Sequence, residues 1–498
     1  MIEKAPDTQA PTMIGFIKDT VHTTHASIWA QLRACYAGEK TIKALGTSYL
    51  PMLTDQTTLE YDAYVARAYF FNMVRRTVLS VVGMATRKPP SIKPSEVNDL
   101  LEDEVVDNRG NNVLGFTTRL LMEATLMGRA LILLDYCEEE DKPVFLLYKT
   151  EDIWTVERNR AGTVIRLVLH EEVKRPLQNH HYARELILEN GVYIQNQYDL
   201  GNGTVSGVLD DSATPKKRGQ TFDFLPAWLF DMEGEDAGES IITPLSDLNL
   251  AHYRQVADYK HLLHYCSIPT LILTGVPDNV DENGVTTPPQ IKVGAENVII
   301  LNNPDASGKW VGAGSDAATP IRNELNDLEG RMSSASISVA VSAVSRETAT
   351  SSSQRNSANT ASVTAIIREV NDIMSKALNE YVQWRWGNVD KIRYSAPLDF
   401  SANVLDGQTI LALLAAYNGG TMSIESFLDN LSRGELLADS TPEEEMKRLL
   451  NPTELPESPA QKMAEDLAET PEQEATEDAS EDGADSPVNE AELTDNNA

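Results

Sequence analysis

Cysteine is nearly absent. The three in 498 residues, Cys35, Cys137 and Cys266, are far apart and odd in number. That excludes a disulfide scaffold and a Cys-based zinc site, and it predicts a reducing compartment such as the cytoplasm. Long apolar runs are missing too. No stretch approaches the roughly 18 to 20 residues a membrane span needs, and residues 1–20 lack the basic start and apolar core of a secretory leader. No membrane association is expected. Basic charge is scarce: 42 Lys+Arg stand against 75 Asp+Glu, a net of −33. A protein that grips duplex DNA normally neutralises phosphates with a basic surface, so ordinary DNA binding is excluded, though contact without retention is not.

Catalytic signatures are also lacking. No Gly-x-x-x-x-Gly-Lys-Ser/Thr, Gly-x-Ser-x-Gly or His-Glu-x-x-His occurs, which disfavours a nucleotide motor, a serine hydrolase of the elbow type and a zincin. The nearest Gly-rich piece, GKWVGAGS, has a lone Gly-x-Gly without the helix that a dinucleotide site requires. His252, His261 and His264 fall on one helical stretch near Asp247 and Asp258. The spacing of His252 and His261 puts them on opposite faces, and His261/His264 lacks the Glu-x-x-His pairing of bundle metal sites. Pairs such as Glu139-Glu140 and Glu171-Glu172 read as solvated surface. The expectation is a non-enzyme without cofactor or metal.

What is present is a clear order of elements. Leu59, Ala63, Ala66, Phe70, Met73, Thr77 and Val81 recur at helical steps up to Gly83. A second helix is predicted over 112–127, stopped by Gly128, with a buried strand after it. Short β segments (PVFLLY, TVIRLVLHEEV, GVYIQNQY) then give a small β-rich subdomain. A long helix follows over 244–266, with Pro244 in its first turn and Pro269 just beyond its end. Its apolar set is Leu245, Leu248, Tyr253, Val256, Tyr259, Leu263 and Cys266.

Residues 270–314 return to short strands split by Pro and Gly. A further helix from Pro320 carries Ile321, Leu325, Leu328, Met332, Ala335 and Val339 as a packing seam. SSASISVAVSAVSRETATSSSQRNSANTAS (333–362) is small, hydroxyl-rich and free of Pro and Gly, and it lies between two strong helices. It reads as a shaped internal loop, followed by a very apolar helix from Val363 to Trp384. Residues 408–450 read as short helices broken at Gly419-Gly420 and Gly434. From Pro452 to Ala498 there are 15 acidic residues and one basic, and no aromatic. Such a tail cannot offset its ordering entropy and is expected to be disordered.

In this order, the chain resembles the portal (head–tail connector) proteins of tailed double-stranded-DNA bacteriophages, in a divergent portal-like branch. The resemblance rests on YLPMLTDQTTLEYDAYVARAYFFNMVRRTVLSVVGMATRKPP, LLMEATLMGRALILLDY, ITPLSDLNLAHYRQVADYKHLLHYCSIPTLILTG and SRETATSSSQRNSANTASV, and it runs from about Tyr49 to Leu450. It implies an α+β portal fold with a mostly helical wing and crown, two stem helices and a small β-rich clip. Such subunits form a ring, usually a dodecamer.

By order, residues 1–243 are the wing, with its β-rich part at about 130–230. Residues 244–266 are the first stem helix, 267–319 the clip and 320–340 the second stem helix. Residues 341–360 are the tunnel loop, 361–394 the long wing helix and return strand, 395–451 the crown and 452–498 the acidic tail. The implied function is a ring at one capsid vertex through which DNA is packaged and ejected. The implied partners are other copies of the chain, the major capsid protein, the large terminase subunit, tail adaptor proteins and non-specifically held duplex DNA. The implied location is the virion, after assembly in the bacterial host cytoplasm.

DNA contact falls on Ser345, Arg346, Thr348, Thr350, Ser351, Ser352, Ser353, Gln354 and Arg355 of the tunnel loop. Contact with motor or adaptor falls on Pro288, Pro289, Lys292, Lys309 and Trp310 of the clip. The rival reading is another capsid-associated ring or scaffold component without a DNA channel.

Overall fold

A computed structural model describes residues 3–4, 13–174, 179–203, 205–232, 239–266, 270–274, 279–280, 284, 286–287, 307–311, 318–336, 349–387, 390–398, 407–433, 436–437 and 442–450. The chain forms two compact units, Met1–Phe400 and Ser401–Ala498.

Helices open the first unit. α1 (Thr20–Ala37) starts at Asp19, whose carboxylate accepts from the His22 amide at 2.7 Å. α2 (Glu39–Ala44) follows. The single helix expected across 59–83 is instead two, α3 (Thr58–Arg67) and α4 (Met73–Ala85). Ala68 is extended, and Asn72 caps a new start by accepting from the Arg75 amide at 2.8 Å. The break depends on a residue far away in sequence. Asn249, fully buried, accepts from the Met73 and Val74 amides (3.0 and 3.4 Å) and donates to the Phe71 carbonyl (2.8 Å). The interruption also changes which face is covered. Leu59 is 80% exposed, whereas Tyr61 and Tyr64 are buried.

α5 (Ser95–Glu102) leads to α6 (Val113–Met127), which occupies the span its pattern predicts. Asn112 caps its start, and Gly128 ends it at φ +70°. A Cβ at Gly128 would lie 2.9 Å from the Glu239 carbonyl oxygen, so the turn needs glycine for both conformation and space.

The β-rich part spans 129–231 as two larger antiparallel sheets and a two-residue pairing of Lys216–Lys217 with Gln220–Thr221. Arg129–Cys137 is the central strand of three, between Lys142–Lys149 and Ala227–Asp231. The other sheet is a meander of Ile153–Arg158, Val164–Val173, His180–Glu189, Val192–Gly201 and Ser206–Thr214, with Met13–Gly15 and Glu3–Lys4 on its last strand. Three of these strands, IWTVER, HHYARELILE and SGVLDDSAT, are not among the expected segments, because charged and hydroxyl residues interrupt their apolar alternation. The turn at Asn190-Gly191 has positive φ at both residues, matching the right-handed twist of its hairpin.

Where the two sheets meet, Arg184 pairs with Asp135 and with Glu171, and Tyr148 donates to Glu171. Burial opposes the charge on Arg184, but Tyr148, Asp135 and Glu171 more than offset it and raise its pKa.

α7 (Thr243–Cys266) and α8 (Ala318–Ala335) are treated below. α9 (Ala349–Arg385) lies across the first sheet and α6. Val363, Ile366, Ile367, Val370, Met374, Leu378 and Tyr381 join Phe116, Leu120, Leu131 and Phe145 in the main core. It begins at Ala349, not at 361 as expected, so residues 349–360 of the supposed tunnel loop are helical. The physical reason is composition. Ser, Thr and Asn cost only about 0.5 kcal/mol each in a helix, and without Pro or Gly nothing stops a strong downstream helix from extending through them.

The return strand Arg393–Ser395 pairs with Ser91–Lys93. Its other edge is served by side chains of α9. Asn371, Ser375 and Asn379 accept from the amides of Ala396, Tyr394 and Ile392 at 2.9, 2.9 and 2.8 Å. Four helical residues rise about 6.0 Å and two strand residues about 6.6 Å, so the two ladders stay in register over these two steps.

The second unit holds α10 (Gly407–Asn418), α11 (Ile424–Arg433) and α12 (Pro442–Leu450), with turns at Gly419-Gly420 as the pattern predicts.

Candidate functional site: the helix pair and its ribbon

α7 is about 36 Å long at 1.5 Å per residue, and only part of it is embedded. Leu245, Ser246, Asn249, Leu250, His252, Tyr253, Val256 and Ala257 are buried, whereas no described side chain from Asp258 to Cys266 is. Of the apolar set predicted to pack, Tyr259, Leu263 and Cys266 are therefore half-buried at most. The embedded part is tied down by polar contacts. Ser240 donates to the Thr125 carbonyl (3.0 Å), Gln31 donates to Ser246 (2.8 Å) and Asp247 (2.6 Å), and Arg254 donates to the Tyr49 carbonyl (2.8 Å). Tyr64 donates to Asp258 at 2.5 Å, where the buried stretch ends.

Beyond α7 the chain forms an antiparallel ribbon in which Thr270–Thr274 pairs with Ser307–Val311. A two-residue pairing, Asn279–Val280 with Thr286–Thr287, lies further out along the sequence. Ile272, Thr274, Ser307, Gly308 and Lys309 are exposed. α8 then returns beside α7. Leu325, Leu328 and Met332 are its buried seam, while Ile321 is half-buried and Ala335 exposed. The exposed side of α8 carries Glu324, Asp327 and Glu329 against Arg322 and Arg331.

The helix histidines have separate partners. His252 is buried beside Tyr69 and Phe71 with Nε2 3.4 Å from Glu329, and burial lowers its pKa. His261 meets the Tyr64 ring and Arg67, and burial followed by the Arg67 charge lowers its pKa. Among the described residues no three His, Cys, Asp or Glu side chains converge as a metal site would require.

The residues singled out in the sequence fall as follows. Lys309 is exposed on the ribbon, and Trp310 lies opposite Leu271 in the same ladder. Pro288, Pro289 and Lys292 lie outside the described residues, as do Ser345, Arg346 and Thr348. Thr350, Ser351, Ser352, Ser353, Gln354 and Arg355 stand in the first two turns of α9. The acidic tail from 452 also lies outside the described residues. Asn249 and His252, which fix α7 against α4 and α8, carried no local signal, since their partners are 77 or more positions away in sequence.

The fold is α+β: a helical layer and two antiparallel sheets, with a helix–ribbon–helix excursion leading into one long helix. Residues 242–385, from the base of α7 to the end of α9, match the family model described as a domain of unknown function (DUF4055). No curated protein matches the chain. Solved structures similar to it include the neck of an empty gene transfer agent (GTA) particle with C6 symmetry, at 13% identity and TM-score 0.38, covering 78% of this chain and 91% of that one. The neck of the native GTA particle with C12 symmetry gives 13% and 0.36, over 74% and 90%. The virion of the native particle gives 14% and 0.35, over 84% and 99%.

Proposed function

We propose that this chain is a portal subunit: a ring-forming protein at one capsid vertex, whose channel passes DNA inward during packaging and outward on ejection. The observation that carries the reading is the excursion itself. A helix anchored over its first four turns leaves the core, bears an exposed β ribbon and returns as a thinly packed helix. A small-residue segment and a long core-spanning helix come next, in the order that the sequence resemblance implies for stem, clip, stem, tunnel loop and wing helix.

In this reading, residues 1–243 are wing, α7 and α8 are stem helices, residues 395–451 are crown and 452–498 an acidic tail. The ribbon with Pro288, Pro289, Lys292, Lys309 and Trp310 is the platform for the terminase motor and then the tail adaptor. Short exposed strands suit that role, because a strand edge can accept a partner's strand. Charge supports the reading as well. A channel must let a duplex slide, and acidic walls repel phosphates. Twelve copies at −33 each would carry a formal charge of −396.

Negative-stain images of the purified chain test the proposal. Rings with a central hole about as wide as a duplex are expected. Solid or filamentous particles would overturn the channel and leave the rival, a capsid-associated scaffold.

The DNA contact is proposed at Ser345 through Arg355, now shared between the segment before α9 and its first turns. In a ring, Arg346 and Arg355 each repeat around the axis as a basic belt, and exposed ionic contacts of this kind are worth little each. Arg346→Ala/Arg355→Ala should leave rings intact and change packaging or retention of the last DNA to enter. Normal packaging and retention would remove the arginines from that role.

A further inference from the structure

α10 reads GQTILALLAAYN, and from 407 to 423 the chain has no Asp, Glu, Lys, Arg or His. Its neighbours within the unit cover little of it. Tyr417 stacks on Phe427 of α11 at 5.2 Å, but Leu411 is 66% and Leu414 41% exposed, and none of the described side chains of α10 is buried. Leu428 is the unit's buried hydrophobic side chain among the described residues. A helix this apolar, with Leu411 and Leu414 exposed and little cover from the described residues of its own unit, marks a contact surface.

We infer that α10 is where copies of this chain meet, the Leu411 and Leu414 face seated on the same unit of a neighbouring copy. Charge identifies the occupant. The chain carries −33, and residues 452–498 of this same unit carry −14 of it, so two copies repel over most of their surface. The uncharged stretch 407–423 is a place where they approach without like charges facing each other. A basic or acidic partner has nothing there to pair with, and duplex DNA finds no cation. A twelve-residue helix is about 18 Å long and falls short of the roughly 800 Å² per partner of standard stable interfaces. The contact therefore works through repetition, each copy touching two neighbours in a closed ring. The inference rests on the ring reading above and assigns its contact.

The test is the mass of the full-length chain by light scattering across a dilution series, for the natural protein and for Leu411→Asp/Leu414→Asp. The natural chain should hold its ring mass, and the variant should need more than about tenfold higher concentration to do so, with unchanged helix content and thermal midpoint. A variant that keeps the ring at the same concentrations overturns the inference and leaves the ring reading standing. So does one that keeps the ring but melts several degrees lower, which would place α10 against its own chain. A natural chain that is monomeric overturns both. If the aspartates reduce helix content, Leu411→Ser/Leu414→Ser is read by the same criteria.

Discussion

Replacing Arg184 with methionine should destabilise the first unit by about 3–5 kcal/mol, among the largest single-residue losses this fold can show. Its side chain is 12% exposed and faces Asp135 and Glu171, themselves 18% and 22% exposed. Methionine fills a similar volume, so the loss would not come from a cavity. It would come from two largely buried carboxylates that lose their shared cation, where water replaces the missing charge only in part. Denaturant unfolding should show a lower midpoint with an unchanged slope. Adding Asp135→Asn and Glu171→Gln removes the stranded charges and should recover most of the loss. If the single and triple variants are equally unstable, packing rather than charge holds the two sheets together here.

The second large effect is expected at Asn249. Asn249→Ala removes the side chain that accepts from the Met73 and Val74 amides and donates to the Phe71 carbonyl, and leaves the Met73–Phe71 backbone hydrogen bond (2.9 Å) to hold the joint between α3 and α4, in a site where Met73 and Val74 are buried. Each unmade buried hydrogen bond costs about 1–3 kcal/mol, and the three are coupled, so a loss of about 2–4 kcal/mol is expected. The effect has a local signature. Amide hydrogen exchange at Met73 and Val74 should accelerate well beyond that of the α6 amides. Uniform acceleration across the unit would show that Asn249 only fills space. In the proposed portal, the same substitution loosens the base of a stem helix, since α7 is tied to α4 through this side chain.

Much of the fold was legible in the residues. α6 is bounded by Asn112 and Gly128, one capping the first amides and the other taking a left-handed turn, both decided within a few residues of the helix end. α7 runs from Thr243 to Cys266, where Pro244 and the pattern beyond Cys266 predict it. The turn at Gly419-Gly420 and the β-rich middle of the chain are equally local signals. These features depend on which backbone groups a neighbouring residue can satisfy.

Only the tertiary structure decided the rest. The helical repeat through 59–83 contains no Pro and no internal stop. It breaks at 68–72, where Asn249, at least 175 positions later, accepts from the Met73 and Val74 amides and donates to the Phe71 carbonyl, beside the Met73–Phe71 backbone bond. The repeat places Leu59 on the apolar face, yet the break turns it out to solvent and buries Tyr61 and Tyr64 instead. The strand His180–Glu189 carries Arg184 and Glu185 on a pattern that reads as surface; Asp135 and Glu171 make the Arg184 charge tolerable inside, and Arg166 and Tyr198 do so for Glu185. The start of α9 at Ala349 follows from the core that its later turns enter, since serine and threonine oppose a helix too weakly to end one already paid for by burial. Periodicity says which residues lie on one face of an element. Which face is covered, and where an element stops without a breaker, depends on groups brought close by folding alone.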